Sequence, residues 1–323
     1  MERPRLARDI MVTDLVTVGP HTQVYEGIRL LLRNGITGAP VVDEERRFLG
    51  MLSERSCLKV LTVTAQLAAE TGAPPITTCA RDFMTTKLVS FRPETDALEA
   101  IEQLLRRRIS GAPVVDENGR LLGVFSERFS MNVLMAFAHD RIPGTEIGPF
   151  MNTDFGRVIG PEVPLLEVAE KFLGTHYRRL PVVDGERLVG QISRRDVLRA
   201  EHHLTRILQQ PGSRLLGTDA DARLSEASRL LVEGPMGSGE VHAFMRTDPR
   251  TIEEDADLLQ IAGIFMNTDY RRLPVLRDGV LVGQISRRDV LQAVLQQISR
   301  APAPEKALLY LSALDETGEQ IPR

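Results

Sequence analysis

The sequence LVGQISRRDVL stands twice in this chain of 323 residues, at Leu188–Leu198 and again at Leu281–Leu291. Upstream of each copy stands YRRLPV, at Tyr177–Val182 and Tyr270–Val275. Two weaker relatives, ITGAPVVD and ISGAPVVD, occur earlier in the chain, and each is followed by a run that ends in SER. An internal repeat of this kind predicts that the chain is built from copies of one supersecondary unit.

Fixed spacings indicate four such units. Each unit has a proline 12 or 13 residues before a serine, in the pairs Pro40 and Ser53, Pro113 and Ser126, Pro181 and Ser193, and Pro274 and Ser286. A methionine precedes each of these prolines by 29 or 30 residues, at Met11, Met84, Met151 and Met245. We number the units as repeats 1 to 4.

Within each repeat the apolar pattern changes its period in a constant order. Between the methionine and the proline, apolar residues such as Val24, Ile28 and Leu31 have helical spacing. The proline then opens two short apolar runs joined by a polar turn, which is typical of a hairpin, and the serine leads into a second helical pattern. Each repeat is therefore predicted as strand, helix, strand, strand, helix. A unit of this size is marginal alone, so we expect an α+β fold in which the repeats pack in pairs.

Composition excludes several classes of protein. An apolar fraction of 42% with 26% charged residues is ordinary for a globular protein, and a net charge of −4 argues mildly against a nucleic-acid binder. Two cysteines, Cys57 and Cys79, cannot form a disulfide framework, and no stretch is apolar enough for a membrane span. The charged start lacks the apolar core of a signal peptide, so we expect a cytoplasmic protein without a membrane.

The SRRD motif has two interpretations. Ser-x-x-Asp before an apolar run is a capping-box pattern that needs no ligand. Repeats 1 and 2, however, keep the serine but have Ser56 and Phe129 where repeats 3 and 4 have Asp196 and Asp289. Arginines accompany the acid in repeats 3 and 4, both in SRRD and in YRRLPV, which suggests that the acid and the arginines serve one purpose.

That combination suits a nucleotide. A carboxylate at a helix start can accept hydrogen bonds from ribose hydroxyls, and arginine side chains with a serine hydroxyl suit phosphate oxygens. The candidate arginines are Arg178, Arg179, Arg194, Arg195, Arg271, Arg272, Arg287 and Arg288. Surface salt bridging is the structural alternative for them. No metal site is expected, since the six histidines are scattered along the sequence and no cysteine cluster has zinc spacing.

The repeat order, the GAPVVD and RRLPVV runs and the closing GQISRRD resemble the CBS domain, the repeat named after cystathionine beta-synthase, from about residue 7 to 300. The resemblance implies four CBS repeats paired into two pseudo-two-fold modules, with adenine nucleotides in clefts between paired repeats. It implies that Asp196 with Ser193, and Asp289 with Ser286, hold ribose and phosphate, and that Arg179 and Arg272 meet phosphate. It also places the backbone of Val158 and Thr251 near the base.

The expected domains follow the chain order. Residues 1–140 form the first pair, with repeats at about 7–60 and 80–138. Residues 141–300 form the second pair, with repeats at about 146–208 and 241–299 and an insertion at 209–240 that is partly helical at 223–232. A tail follows at 301–323. Because repeats 1 and 2 lack the ribose acid, we expect nucleotide binding in the second pair only.

The sequence thus predicts a regulatory protein without catalytic activity. Its regulatory ligand would be AMP, ADP or ATP, with or without magnesium, or a related adenine compound such as S-adenosylmethionine, and no cofactor is required. Its partners would be a second copy in a homodimer and an unknown protein target. The alternatives are a ligand-free scaffold, in which the repeats serve assembly only, and an enzyme with the 209–240 insertion as a lid.

Overall fold

A computed structural model describes residues 5–60, 62, 78–140, 146–200 and 239–300 of the chain. The predicted helix at 223–232 and the tail at 301–323 lie outside the described residues. Each repeat contains a two-stranded antiparallel hairpin flanked by helices, as the sequence predicts. The first predicted strand is short: it is β7 in repeat 4 and a single parallel bridge to the hairpin in the other three repeats.

The elements follow the same order in all four repeats. Repeat 1 contains α1 (Ala7–Ile10), α2 (Val24–Arg33), β1 (Gly38–Val42), β2 (Phe48–Ser53) and α3 (54–60). Repeat 2 contains α4 (Ala80–Phe83), α5 (Ala97–Arg106), β3 (Gly111–Val115), β4 (Leu121–Ser126) and α6 (Glu127–Asp140). Repeat 3 contains 3₁₀ turns at Gly148–Phe150 and Phe155–Arg157, then α7 (Leu165–Gly174), β5 (Arg179–Asp184), β6 (Arg187–Ser193) and α8 (194–200). Repeat 4 contains α9 (Val241–Phe244), β7 (Ile252–Glu253), α10 (Leu258–Asn267), β8 (Arg272–Arg277), β9 (Val280–Ser286) and α11 (Arg287–Arg300).

The residue after each spaced methionine joins the hairpin of another repeat. Val12 exchanges two backbone hydrogen bonds of 2.9 Å with Gln284 of repeat 4, and Thr85 exchanges bonds of 2.8 and 3.0 Å with Gln191 of repeat 3. Gln284 and Gln191 stand opposite Pro274 and Pro181 in their own hairpins, and the two remaining repeats make the same contact. We call this contact the segment exchange. It satisfies backbone groups at a hairpin edge that would otherwise be unpaired.

The methionine itself lies on a glycine of the partner hairpin. A Cβ atom added at Gly190 would lie 2.4 Å from the Met84 sulfur, and one at Gly283 would lie 2.4 Å from the Met11 sulfur. At Gly50 the nearest atom belongs to the backbone, because an added Cβ would lie 2.4 Å from the Arg246 carbonyl oxygen. The spaced methionine and the glycine in the second strand of each hairpin thus form one contact.

The segment exchange joins repeats across the two sequence-ordered pairs that we expect. It joins repeat 1 to repeat 4, through Val12 and Gln284, and repeat 2 to repeat 3, through Thr85 and Gln191. Among the described residues, backbone hydrogen bonds between repeats therefore run across the sequence-ordered pairs 1–140 and 141–300 and not within them. Because all four hairpins offer equivalent edges, the repeat pattern alone does not specify which hairpin receives which segment.

Helices join the two exchanged pairs into one body. One hydrophobic core combines buried residues of repeats 1 and 3, such as Leu31 and Phe172, and a second combines those of repeats 2 and 4, such as Phe125 and Phe265. Each repeat therefore contacts one partner through the segment exchange and another through its helices. Among the described residues, no helix is both long and apolar enough to cross a lipid bilayer.

We expect Gly50→Ala to destabilise the fold by about 1–3 kcal/mol, because the new methyl group would overlap the Arg246 carbonyl oxygen at the segment exchange. Gly263→Ala is the matched control. Gly263 lies inside α10 with no atom within 4 Å of an added Cβ, so alanine should be neutral or stabilise by up to about 1 kcal/mol. Chemical denaturation measures both, and equal effects of the two substitutions would contradict the contact.

A fragment of residues 78–200 contains both halves of the exchange between repeats 2 and 3, so we expect it to unfold cooperatively. A fragment of residues 1–140 contains repeats 1 and 2, whose exchange partners are repeats 4 and 3, and should not. Thermal denaturation followed by circular dichroism compares them. A cooperative transition in 1–140 alone would restore the sequence-ordered pairing.

Candidate functional site

The SRRD motifs of repeats 3 and 4 begin helices α8 and α11. The backbone N–H and the hydroxyl of Ser193 both donate to Asp196 Oδ2, at 2.8 and 2.6 Å. Ser286 and Asp289 make the same pair of bonds, each 2.7 Å long. Both carboxylates thus cap a helix through one oxygen. Within the described part of the chain, their Oδ1 atoms accept no hydrogen bond, which leaves one oxygen of each to another donor.

The first arginine of each SRRD motif has a structural partner. Arg194 donates to the carbonyl oxygens of Phe172 and Thr175, both at 3.0 Å, at the end of α7. Arg287 does the same at the end of α10, with Phe265 at 3.1 Å and Thr268 at 2.8 Å. Both arginines are buried. They satisfy terminal carbonyls of a helix of their own repeat, so the expectation that they bind phosphate is not supported by their contacts.

The second arginine of each SRRD motif contacts the repeat that packs against its own repeat through helices. Arg195 donates to the Gly35 carbonyl at 2.6 Å and lies 3.3 Å from Glu54, and Arg288 lies 3.3 Å from Glu127. Repeats 1 and 2 have arginines at the same motif position. Arg55 donates to the carbonyls of Leu173 and Thr175, and Arg128 donates to Asp269 at 2.7 Å.

These contacts explain why repeats 1 and 2 have a glutamate at the position of the first arginine of SRRD. Where repeats 3 and 4 have Arg194 and Arg287, repeats 1 and 2 have Glu54 and Glu127. The two glutamates are almost fully buried and receive arginines from the repeats packed against them. Much of the covariation that suggests a nucleotide therefore arises from charge complementarity between helix-packed repeats.

The arginines of YRRLPV converge from repeats 3 and 4 on residues of repeats 1 and 2. Arg179 donates to the Ser110 hydroxyl at 3.3 Å and to the Gly111 carbonyl at 3.4 Å, and Arg271 donates to the same hydroxyl at 3.1 Å. Arg178 lies 3.3 Å from Glu54. We call Arg178, Arg179, Arg271 and Arg272 the arginine cluster. All four side chains are partly buried.

The cluster has an excess of positive charge. Burial lowers the pKa of Arg179, Arg271 and Arg272, and the nearby charge of Arg178 lowers the pKa of each of them further. Glu54 is shared between Arg178 and Arg195, so one carboxylate faces two guanidinium groups. Glu127, Asp196 and Asp289 also lie near arginines of the cluster, where each carboxylate favours the charged guanidinium. Glu127 is shared with Arg288, as Glu54 is with Arg195. An anion would relieve the remaining repulsion.

Val158 and Thr251, whose backbone the resemblance places near a base, have different surroundings. The Val158 carbonyl accepts a hydrogen bond from Lys171 at 3.3 Å, and α10 has Ile264 at the place of Lys171. Thr251 directly precedes β7, which pairs in parallel with β8. The position in repeat 4 therefore lacks the lysine that faces its counterpart in repeat 3.

Sequence reasoning missed Ser110, Glu54, Glu127 and Arg157. Arg157 precedes Val158, donates to the Arg179 carbonyl at 3.5 Å and lies 4.7 Å from the centre of the Tyr177 ring. Burial lowers its pKa to about 10. The glutamates were visible as the second letter of SERS and SERF, where they replace an arginine of the otherwise matching motif.

Comparison with known proteins reports one family. The family model described as the CBS domain matches residues 7–63, 80–128, 147–203 and 239–296. Protein MJ1225 of Methanocaldococcus jannaschii, which is uncharacterized, is 24% identical over 286 residues that cover 86% of this chain and 94% of the relative. The match to the crystal structure of that protein covers 90% of this chain and 99% of the other, with a TM-score of 0.37.

Other similarities are partial. Inosine-5′-monophosphate dehydrogenase of the same organism is 27% identical over 122 residues, 38% of this chain, and the match spans only 22% of that enzyme. The structure of CBSX2 in complex with AMP is 30% identical, covers 39% of this chain and 97% of its own, and has a TM-score of 0.35. At this TM-score the superposition does not indicate where a ligand would lie on the present chain.

We expect Arg194→Ala to destabilise the protein by about 2–3 kcal/mol, because the buried Phe172 carbonyl at the end of α7 loses its charged donor and the Thr175 carbonyl keeps only Arg55. Arg199→Ala, an exposed arginine one turn further along α8, should change stability by less than about 0.5 kcal/mol. Urea denaturation measures both. If Arg194→Ala proves as stable as the control, the helix-capping role of Arg194 is wrong.

Proposed function

This chain belongs to the CBS domain family, and we propose that it is a regulatory protein that binds adenine nucleotides with the arginine cluster as its phosphate site. The observation that supports this most directly is the excess of guanidinium groups, partly buried and facing one another around Ser110 and Glu54. Such an arrangement is unfavourable without an anion, and a phosphate can accept hydrogen bonds from several guanidinium groups at once.

The capping aspartates supply a second element of nucleotide recognition. Each engages one carboxylate oxygen in the cap and keeps the other for a ribose hydroxyl. Asp196 lies near Arg179 and Asp289 near Arg272, so a ribose at either acid would place its phosphate toward the arginine cluster. Ser193 and Ser286 would act by holding these carboxylates in place.

The segment exchange assigns the two proposed sites to different pairs of repeats. Asp196 belongs to the pair formed by repeats 2 and 3, and Asp289 to the pair formed by repeats 4 and 1. We therefore propose two nucleotide sites, one in each exchanged pair, and not both in one module formed by residues 141–300. The Lys171 contact to Val158 makes the two sites unequal, since a base in repeat 3 must displace or join that lysine.

A ligand-free scaffold is the second candidate function. The helix caps at Asp196 and Asp289 and the contacts of Arg194, Arg195, Arg287 and Arg288 all stabilise assembly of the repeats without a ligand. This function does not account for the repulsion between the arginines of the cluster, since the charge of Arg178 lowers the pKa of Arg179 and Arg271. For that reason we favour the nucleotide.

The remaining expectations stay proposals. We propose that the chain signals to a protein target through binding, without catalysis, in the cytoplasm. A homodimer stays a proposal. Uncovered apolar helical faces would favour a second copy, but those of the described residues pack on one another within the chain. Sedimentation would establish whether a second copy is also bound. Magnesium would accompany ATP through its phosphates only.

We expect AMP, ADP or ATP to bind, and Arg179→Ala and Arg272→Ala each to weaken binding tenfold or more, since each removes a charged donor to phosphate. Asp196→Asn and Asp289→Asn retain an oxygen for the helix cap and should each weaken one site. Isothermal titration calorimetry measures these constants, with adenosine as the ligand that lacks phosphate.

Two controls separate this result from a loss of fold. Arg199→Ala removes an exposed arginine, and Asp257→Asn alters the cap of α10, where the side chain accepts from the Gln260 N–H at 2.8 Å. Neither should change binding. Adenosine binding as tightly as AMP, or arginine variants that bind like the parent, would favour the scaffold.

A further inference from the structure

Two histidines that are far apart in the sequence meet one glutamate where repeats 1 and 4 exchange segments. His21 Nδ1 lies 3.0 Å from Glu240 Oε2, and His242 Nδ1 lies 3.2 Å from the same oxygen. The three ligand atoms all lie within 4.8 Å of one another, and the two imidazole rings are 5.9 Å apart at 61°. We propose that these three residues form a zinc site, a function separate from nucleotide binding.

The backbone fixes this meeting. Gln23 and Glu240 form an antiparallel bridge, Val24 N–H donates to the Gly239 carbonyl at 2.8 Å, and His242 N–H donates to the Pro20 carbonyl at 3.0 Å. Both histidines lie within two residues of this bridge. The ligand positions are therefore set by main-chain hydrogen bonds between two repeats, which also hold the turn that contains His21.

The distances fit the geometry of zinc. With Zn–N and Zn–O bonds of about 2.0–2.1 Å, the ligand atoms of a tetrahedral site are about 3.3 Å apart. The two imidazole-to-carboxylate distances are close to this value, and rotation of the exposed His21 ring would adjust the third. Two imidazoles and one carboxylate suit zinc better than magnesium or calcium, which prefer oxygen ligands. A water molecule would complete the tetrahedron.

The fold does not need these histidines. The equivalent corner of repeats 2 and 3, where Asp96 bridges Glu146, has Glu94 and Gly148 at the two histidine positions. The corner where Cys79 bridges Pro164 has an ion pair of Arg81 and Glu162 there. The bridges between repeats at these corners thus form with an ion pair beside them or without one. The bridge between Gln23 and Glu240 instead has two imidazoles next to a single carboxylate.

A bound zinc ion would fasten repeat 1 to repeat 4, because His21 belongs to the first and the other two ligands to the last. An ion that binds only the folded protein raises its stability. The side chains of His21 and His242 are 82% and 45% exposed, so their substitution should not unfold the protein.

The test uses the full chain without a histidine tag. We expect one zinc ion per chain by calorimetric titration with Zn²⁺, a higher melting temperature in its presence, and no competition from excess Mg²⁺. His21→Ala, His242→Ala and Glu240→Gln should each weaken zinc binding at least tenfold and abolish the shift in melting temperature. His176→Ala, which removes an exposed histidine elsewhere, should bind zinc like the parent.

Every other outcome overturns the proposal. If the parent binds no zinc, the three residues are an ordinary hydrogen-bonded His–Glu–His group. If the parent and all three ligand variants bind zinc equally, the ion lies elsewhere. Circular dichroism of the metal-free variants shows whether a loss of binding reflects a loss of fold, and Glu240→Gln, which keeps the shape of the side chain, provides a second check.

Discussion

The exchange of first segments between repeats is the contact on which the rest of this structure depends. A single two-stranded hairpin leaves a row of backbone donors and acceptors at its edge, and a repeat of this size cannot cover that edge alone. The residue after each methionine pairs with the strand opposite the spaced proline, while the methionine lies on a glycine of that strand. One contact thus joins the repeats in pairs, and the same contact brings Gln23 beside Glu240 and Asp96 beside Glu146.

The SRRD and SER motifs hold the repeats together through several separate contacts. The first arginine of SRRD donates to carbonyls at the C-terminal end of a helix of its own repeat. The second donates to the repeat packed against it through helices. The acid caps the helix that begins at the motif. Glu54 and Glu127 replace the first arginine where the neighbouring repeat supplies the positive charge. The arginine cluster from YRRLPV remains, and two of the carboxylates near it, Glu54 and Glu127, are shared with Arg195 and Arg288. This remainder, more than the motif itself, favours an anionic ligand.

The two proposed sites depend on the same exchange in different ways. The nucleotide site needs arginines of repeats 3 and 4 to meet Ser110 and Glu54 of repeats 2 and 1, which the exchange and the helix packing achieve together. The proposed zinc site needs only the corner between repeats 1 and 4. Tightening that corner would stabilise the pair to which Asp289 belongs, so metal and nucleotide would favour the same folded arrangement.

The sequence by itself determined the four repeats, their hairpins and helices, and the SRRD and YRRLPV residues worth examining, because these depend on local spacing and period. It did not determine that Val12 pairs with Gln284, since all four hairpin edges present the same groups and only global packing selects among them. Nor did it separate Arg194, which caps α7, from Arg179, which joins the cluster, because the two differ only in what other repeats place beside them. His21 and Glu240 are more than two hundred positions apart in the chain. Only the tertiary structure could bring them together, because a contact between chemically ordinary residues of distant repeats leaves no local pattern.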